Sequence, residues 1–137
     1  SGTTLHTLNI NSTDGSLTNS GLRTAHVANG SARFFYSHSG RHIYIYSDAG
    51  LVTCEIQANG ALVSRSVLSP PRGDNSASAF KSFSGMDLDF SRNFFFIASV
   101  SPAGLYTGSF DPVTELPVLH GMIPTAGAPA AVGYFQR

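Results

Sequence analysis

His38 and His42 flank the turn Ser39, Gly40, Arg41. Two imidazoles facing each other across a hairpin would suit proton transfer or metal ligation. Asp87 and Asp89, in the run Met-Asp-Leu-Asp-Phe, form a second candidate group. Side chains two apart on a strand share a face, and neighbouring carboxylates push one pKa up, which suits paired acid and base work. Each group has a plainer reading. The histidines mark an exposed hairpin tip, and the aspartates face water while Met86, Leu88 and Phe90 face the core.

Other signatures are missing. His6, His26 and His120 are scattered, and no histidine pair has the i, i+4 spacing of a helical zinc protease. Cys54 sits in mid-strand beside Val52 and Ile56, the setting of a small buried hydrophobe. Ser-Phe-Ser-Gly-Met lacks the first glycine of a nucleophile elbow, and the glycine-containing stretch at residues 11–21 has no lysine and feeds a strand, unlike a phosphate loop. No cofactor and no metal are implied.

Composition narrows the class. At 137 residues the chain is the size of one domain and needs no disulfide or metal to bury a core. Charged residues are 12% and balance to zero, without the basic footprint of a nucleic-acid partner. No apolar run approaches the roughly 20 residues that span a bilayer, so no membrane role is expected, and the first residues lack the regions of a signal peptide. A lone cysteine does not report the redox compartment. Two glycosylation sequons, residues 11–13 and 29–31, point to a secreted protein.

The elements that must position these residues are strands. Arg-Phe-Phe-Tyr-Ser, His-Ile-Tyr-Ile-Tyr-Ser, Leu-Val-Thr-Cys-Glu-Ile, Leu-Val-Ser-Arg-Ser-Val-Leu, Phe-Phe-Phe-Ile-Ala-Ser and Leu-Tyr-Thr-Gly-Ser-Phe are strand-length runs bounded by turn formers. No amphipathic stripe of helical period interrupts them, and the serine-rich stretch at residues 76–88 reads as a loop entering a strand. The chain is expected to be all-β.

One hairpin recurs. Leu5, Thr7, Ile10 and Leu17 align with Leu51, Thr53, Ile56 and Leu62 at offsets of 46, 46, 46 and 45 residues, and these with Leu105, Thr107, Phe110 and Leu116 at 54. Asn, Asp, Gly and Pro between the paired strands make each a hairpin. Ahead of the last two lies another, with Ser-Gly-Arg or Ser-Arg-Asn at its tip. Four strands recurring at this period mark a propeller blade, whose faces are covered by its neighbours. One unit spanning 1–137 is expected, with repeats at about 1–30, 31–78, 79–123 and 124–137, the first and last partial.

Ser39, Gly40 and Arg41 before a Tyr-hydrophobic-Tyr strand, followed by residues 111–116, Asp-Pro-Val-Thr-Glu-Leu, resemble the blade motif of the seven-bladed lactonase and carboxymuconate-cyclase propellers. Glu115 stands where that family has glycine. The resemblance implies a small acidic lactone-type substrate, bound by His, Arg and Glu side chains of inner strands. Those strands fall near residues 32–36, 85–89 and 130–134, where Arg33 is the cation that fits, one position from the family's arginine.

Fewer than three blades are present, the last strand being Ala-Ala-Val-Gly-Tyr-Phe-Gln-Arg. Other copies or a second chain are therefore expected to complete the ring. The alternative is a non-enzymatic β-sandwich that binds carbohydrate or its own copies. Phe34, Phe35, Tyr36, Tyr44, Tyr46, Phe94, Phe95 and Phe96 separate the two: a propeller covers both faces of such runs, whereas a sandwich exposes one.

Overall fold

In the computed structural model, residues 2–29, 33–47, 50–68, 83–100 and 103–135 are described. They form ten strands and no helix. Strands β1 (Gly2–Ile10) and β2 (Leu17–Asn29) pair as a hairpin. β3 (Arg33–Tyr36), β4 (His42–Ser47), β5 (Gly50–Ile56) and β6 (Leu62–Leu68) follow as a four-stranded antiparallel meander. β7 (Phe83–Leu88), β8 (Phe94–Val100), β9 (Ala103–Phe110) and β10 (Pro117–Pro124) form a second. The thirds of the sequence repeat superpose on this order, since Thr7, Thr53 and Thr107 lie on β1, β5 and β9.

Period-two alternation divides the core. On β4 and β5, Tyr44, Tyr46 and Leu51 pack against Met86, Leu88, Phe95, Ile97, Tyr106 and Phe110 of the second meander. Ile43, Ile45, Val52 and Cys54 point the other way, toward Leu5 on the hairpin, with Ile56 and Leu62. The central strands β4 and β5 of the middle sheet are therefore covered on both faces by successive sheets, as blades are, and not paired with one opposite sheet as a sandwich requires, while Phe34 and Tyr36 on β3 stay about half exposed. No closed ring is formed by the three sheets.

Two local expectations need correction. Phe90 does not face the core: it lies beyond the end of β7, where alternation no longer applies, and is 85% exposed. The last expected strand, residues 130–137, is not a strand over its described residues 130–135: the segment lies on the face of the second meander, where a Cβ on Gly85 would stand 3.4 Å from Ala131 Cα. Instead Tyr134 stacks on Phe96 at 6.0 Å and donates its N–H to Asp87 Oδ2 at 2.8 Å. The serine-rich stretch before β7 lies mostly outside the described residues, as does part of the second sequon.

Opposite one another on β5 and β6, Thr53 and Ser66 bury hydroxyls that have no hydrogen-bond partner. Their desolvation is uncompensated. Thr53→Val, which keeps the shape and removes one orphan, is expected to raise stability by about 1 kcal/mol in urea denaturation.

Candidate functional site

Three hairpin turns share one feature just before the strand that leaves them. The β1–β2, β5–β6 and β9–β10 turns each place a residue in the left-handed region at the same position: Gly15 at φ 73°, Gly60 at 83° and Glu115 at 55°. Only glycine adopts this conformation without cost, so a glutamate there carries roughly 1 kcal/mol of backbone strain. Asp111 holds the β9–β10 turn, its Oδ1 accepting from Val113 N at 3.0 Å and from Thr114 N at 2.7 Å.

From that seat Glu115 reaches the β3–β4 turn more than 70 residues away. Its Oε1 accepts from Ser39 N at 3.1 Å, and its Oε2 accepts from Ser39 Oγ at 2.8 Å and from His42 Nδ1 at 2.7 Å. A carboxylate only accepts, which fixes the proton on Nδ1. Tyr44 Oη donates to the Glu115 carbonyl at 2.9 Å while its ring stacks on Phe110 at 4.0 Å. Arg41 Nη2 stands off at 3.9 Å and is mostly exposed, adding little. Glu115 and His42 are both buried.

Burial by itself would raise the Glu115 carboxyl. The hydrogen bonds from His42 and from the Ser39 hydroxyl and N–H outweigh it and hold the group at about 2. Burial, and then the Glu115 charge beside it, push the Tyr44 phenol well above its ordinary range.

Chemically, the cluster has the orienting half of a charge-relay arrangement but not its nucleophile. Ser39 Oγ gives its proton to the carboxylate and not to the imidazole, so no hydroxyl is activated by His42. The arrangement ties the two meanders together across their seam. His42 thus meets Glu115, while His38 stays exposed in the turn. Glu115 showed itself in the sequence only as an unexpected residue at a glycine position.

The aspartates also part company. Asp89, past the end of β7, caps the β7–β8 turn by accepting from Ser91 N at 3.0 Å, from Phe94 N at 2.7 Å and from the Ser91 hydroxyl. Burial opposes ionisation, but these hydrogen bonds prevail and its carboxyl lies below the usual value. Asp87 receives Leu88 N and Tyr134 N. Asp89→Ala, which strands two amide donors, is expected to lower stability by about 1–2 kcal/mol in urea denaturation.

Both aspartates nonetheless line one cleft of about 400 Å³ between the inner strands β3 and β7, walled by Phe35, Tyr36 and Phe90 with Arg92 alongside. Arg92, at φ 58° where the β3–β4 turn has Gly40 at 74°, donates from Nη1 to Tyr36 O at 3.3 Å. Arg33 is exposed on β3. Among the described residues no three His, Cys, Asp or Glu side chains converge as a metal site.

No protein-family model matches the sequence, and no curated protein matches it. Among solved structures, the chain is similar to a crystal structure of a protein from Lactobacillus plantarum, at a TM-score of 0.65 and 16% identity. The match covers 93% of this chain and 37% of that one. The likeness is one of fold: two four-stranded meanders and a hairpin correspond to a little over a third of the length of the protein matched.

Proposed function

We propose that this propeller-type chain is a sector of a lactonase-like protein acting on a small acidic lactone-type substrate, with the inner-strand cleft as its share of the binding site. The observation that carries this reading is the cleft itself: it opens between β3 and β7, the two innermost strands, and gathers Asp87, Asp89 and Arg92 beside aromatic walls. A guanidinium at such a rim binds a substrate carboxylate through paired hydrogen bonds, and the aromatic walls take the ring. Arg33, on the same inner strand as Phe35 and Tyr36, supplies a further cation. The remaining catalytic groups come from other blades: His42 Nδ1 is committed to Glu115, and Asp89 to the amides of its own turn.

A panel of small acidic lactones tests this in the assembled protein. Arg33→Ala and Arg92→Ala are each expected to lower kcat/KM about tenfold or more while the fold survives, since both side chains are exposed. Absence of turnover in the unsubstituted protein, together with binding of neutral sugars, would instead select a non-enzymatic carbohydrate-binding role.

A further inference from the structure

The residue just before each left-handed seat is polar, and its side chain takes the amide two residues on. Asp14 Oδ1 accepts from Ser16 N at 2.8 Å, Asn59 Oδ1 from Ala61 N at 2.9 Å and Thr114 Oγ1 from Leu116 N at 3.4 Å. The three seats differ in chemistry. Asp14 is a carboxylate followed by Gly15, Thr114 is a hydroxyl followed by Glu115, and Asn59 is a carboxamide followed by Gly60.

Only the last combination is set to react with itself. The side-chain bond folds the carboxamide back over the peptide joining Asn59 to Gly60, within reach of the Gly60 nitrogen. The Ala61 N–H already bonds the oxygen that turns negative when this nitrogen adds to Asn59 Cγ, as an oxyanion donor would. Gly60 has no side chain to shield its nitrogen, and Asn59 is exposed, so water and base reach the turn. One contact restrains the step: Gly60 N donates to Gln57 O at 2.8 Å and must release it before its proton leaves. Asn11 and Asn19 make the same side-chain bond, to Thr13 N and Gly21 N at 2.9 Å each, but a serine follows both.

We propose that Asn59 is a site of spontaneous backbone modification, and that its isoaspartyl product loosens the contact between the first hairpin and the middle sheet. The Gly60 nitrogen bonds to Asn59 Cγ, and the side-chain amide leaves with the Gly60 proton as ammonia, which gives a succinimide. Water then breaks one of the two imide C–N bonds, its hydroxyl going to carbon and its proton to nitrogen. Breaking the bond at Cγ leaves aspartate in an unchanged backbone. That product keeps the turn, because Asp14 already fills the equivalent seat. Breaking the other bond routes the backbone through Cβ and lengthens it by one atom immediately before Gly60. The Gly60 carbonyl accepts from Thr7 Oγ1 at 3.0 Å, and Thr7 and Leu22 lie against its Cα, so the displacement passes directly to the first hairpin. Nothing in this chemistry depends on the lactone reading.

The protein is kept folded in mildly alkaline buffer, sampled over time and digested with trypsin. Residues 42–65 form one peptide, in which Asn59 is the only asparagine. That peptide is expected to gain about 1 Da and to become a substrate for protein isoaspartyl methyltransferase, about tenfold faster than the peptide carrying Asn11 and Asn19. Asn59→Thr, which places there the residue of the β9–β10 turn, is expected to abolish the gain and keep the fold. The isoaspartyl fraction should show faster hydrogen exchange along β1 and β2, whereas Asn59→Asp, made directly, should exchange like the unmodified protein. A 42–65 peptide of unchanged mass, a gain that favours Asn11 or Asn19, or an isoaspartyl fraction whose hairpin exchanges as before would each overturn the proposal. None of these outcomes bears on lactone turnover, so the two readings fail separately.

Discussion

Glu115→Ala is expected to cost about 3 kcal/mol of stability, a loss large enough to unfold a fraction of a small domain at 37 °C. The carboxylate satisfies the Ser39 N–H, the Ser39 hydroxyl and buried His42 at once, and its removal orphans all three. Glu115→Gly removes the same groups but relaxes the left-handed turn, so it should be milder by about 1 kcal/mol. That ordering, glutamate above glycine above alanine, separates the side chain's contribution from the backbone's. The pH dependence follows from the depressed carboxyl. A group ionising at about 2 in the folded state and at its ordinary 4.5 when unfolded contributes stability that is fully present above pH 4.5 and is lost as pH falls from there toward 2. Urea midpoints of the unsubstituted protein and Glu115→Gln, measured across that window, should therefore converge as the solution is acidified.

Gly108→Ala should be comparably damaging, at about 3 kcal/mol, although alanine ordinarily improves a strand. Gly108 lies directly across from Phe95, a fully buried side chain of the seam core, whose ring occupies the space a Cβ on Gly108 would take. A Cβ there would enter the Phe95 ring and come within 2.5 Å of the Val118 carbonyl oxygen. The repeat explains the pairing. In the middle sheet the corresponding cross-strand residues are Ile43 and Cys54, a smaller side chain facing a larger partner. Bulk has moved across the ladder while its sum is roughly kept, as a close-packed core demands. Phe95→Leu combined with Gly108→Ala should thus recover part of the loss, and a double-mutant cycle in urea would show it as a coupling of about 1 kcal/mol or more.

What was legible in the sequence is what is local. Runs such as His-Ile-Tyr-Ile-Tyr-Ser announce strands buried on both faces, and Asn, Asp and Gly announce the turns between them, so the hairpins and their threefold recurrence could be read directly. The alternation rule failed where a strand stopped. Asp89 and Phe90 were placed by counting in twos from Asp87 and Met86, but β7 ends at Leu88 and both belong to the turn. The seam cluster was illegible for a different reason. Its halves are separated by 73 residues, and nothing in the hairpin containing His42 states which turn will face it. The one available sign was Glu115 itself, a bulky acid where the other two copies of the turn use Gly15 and Gly60. A strained position kept by a charged residue points to a partner elsewhere.

The unequal turns also bear on how a repetitive chain avoids misassembly. Sheets built from one motif invite exchange, each able to dock on the wrong neighbour during folding. Here the two junctions are keyed differently. At one, Thr7 Oγ1 donates to the Gly60 carbonyl at 3.0 Å, and a Cβ on Gly60 would stand 3.1 Å from the Thr7 methyl, too close for a side chain to pass comfortably. At the other, a carboxylate at the same seat demands a serine and a histidine opposite. Neither lock accepts the other's key, so the serial order of the sheets is written into single residues at their turns.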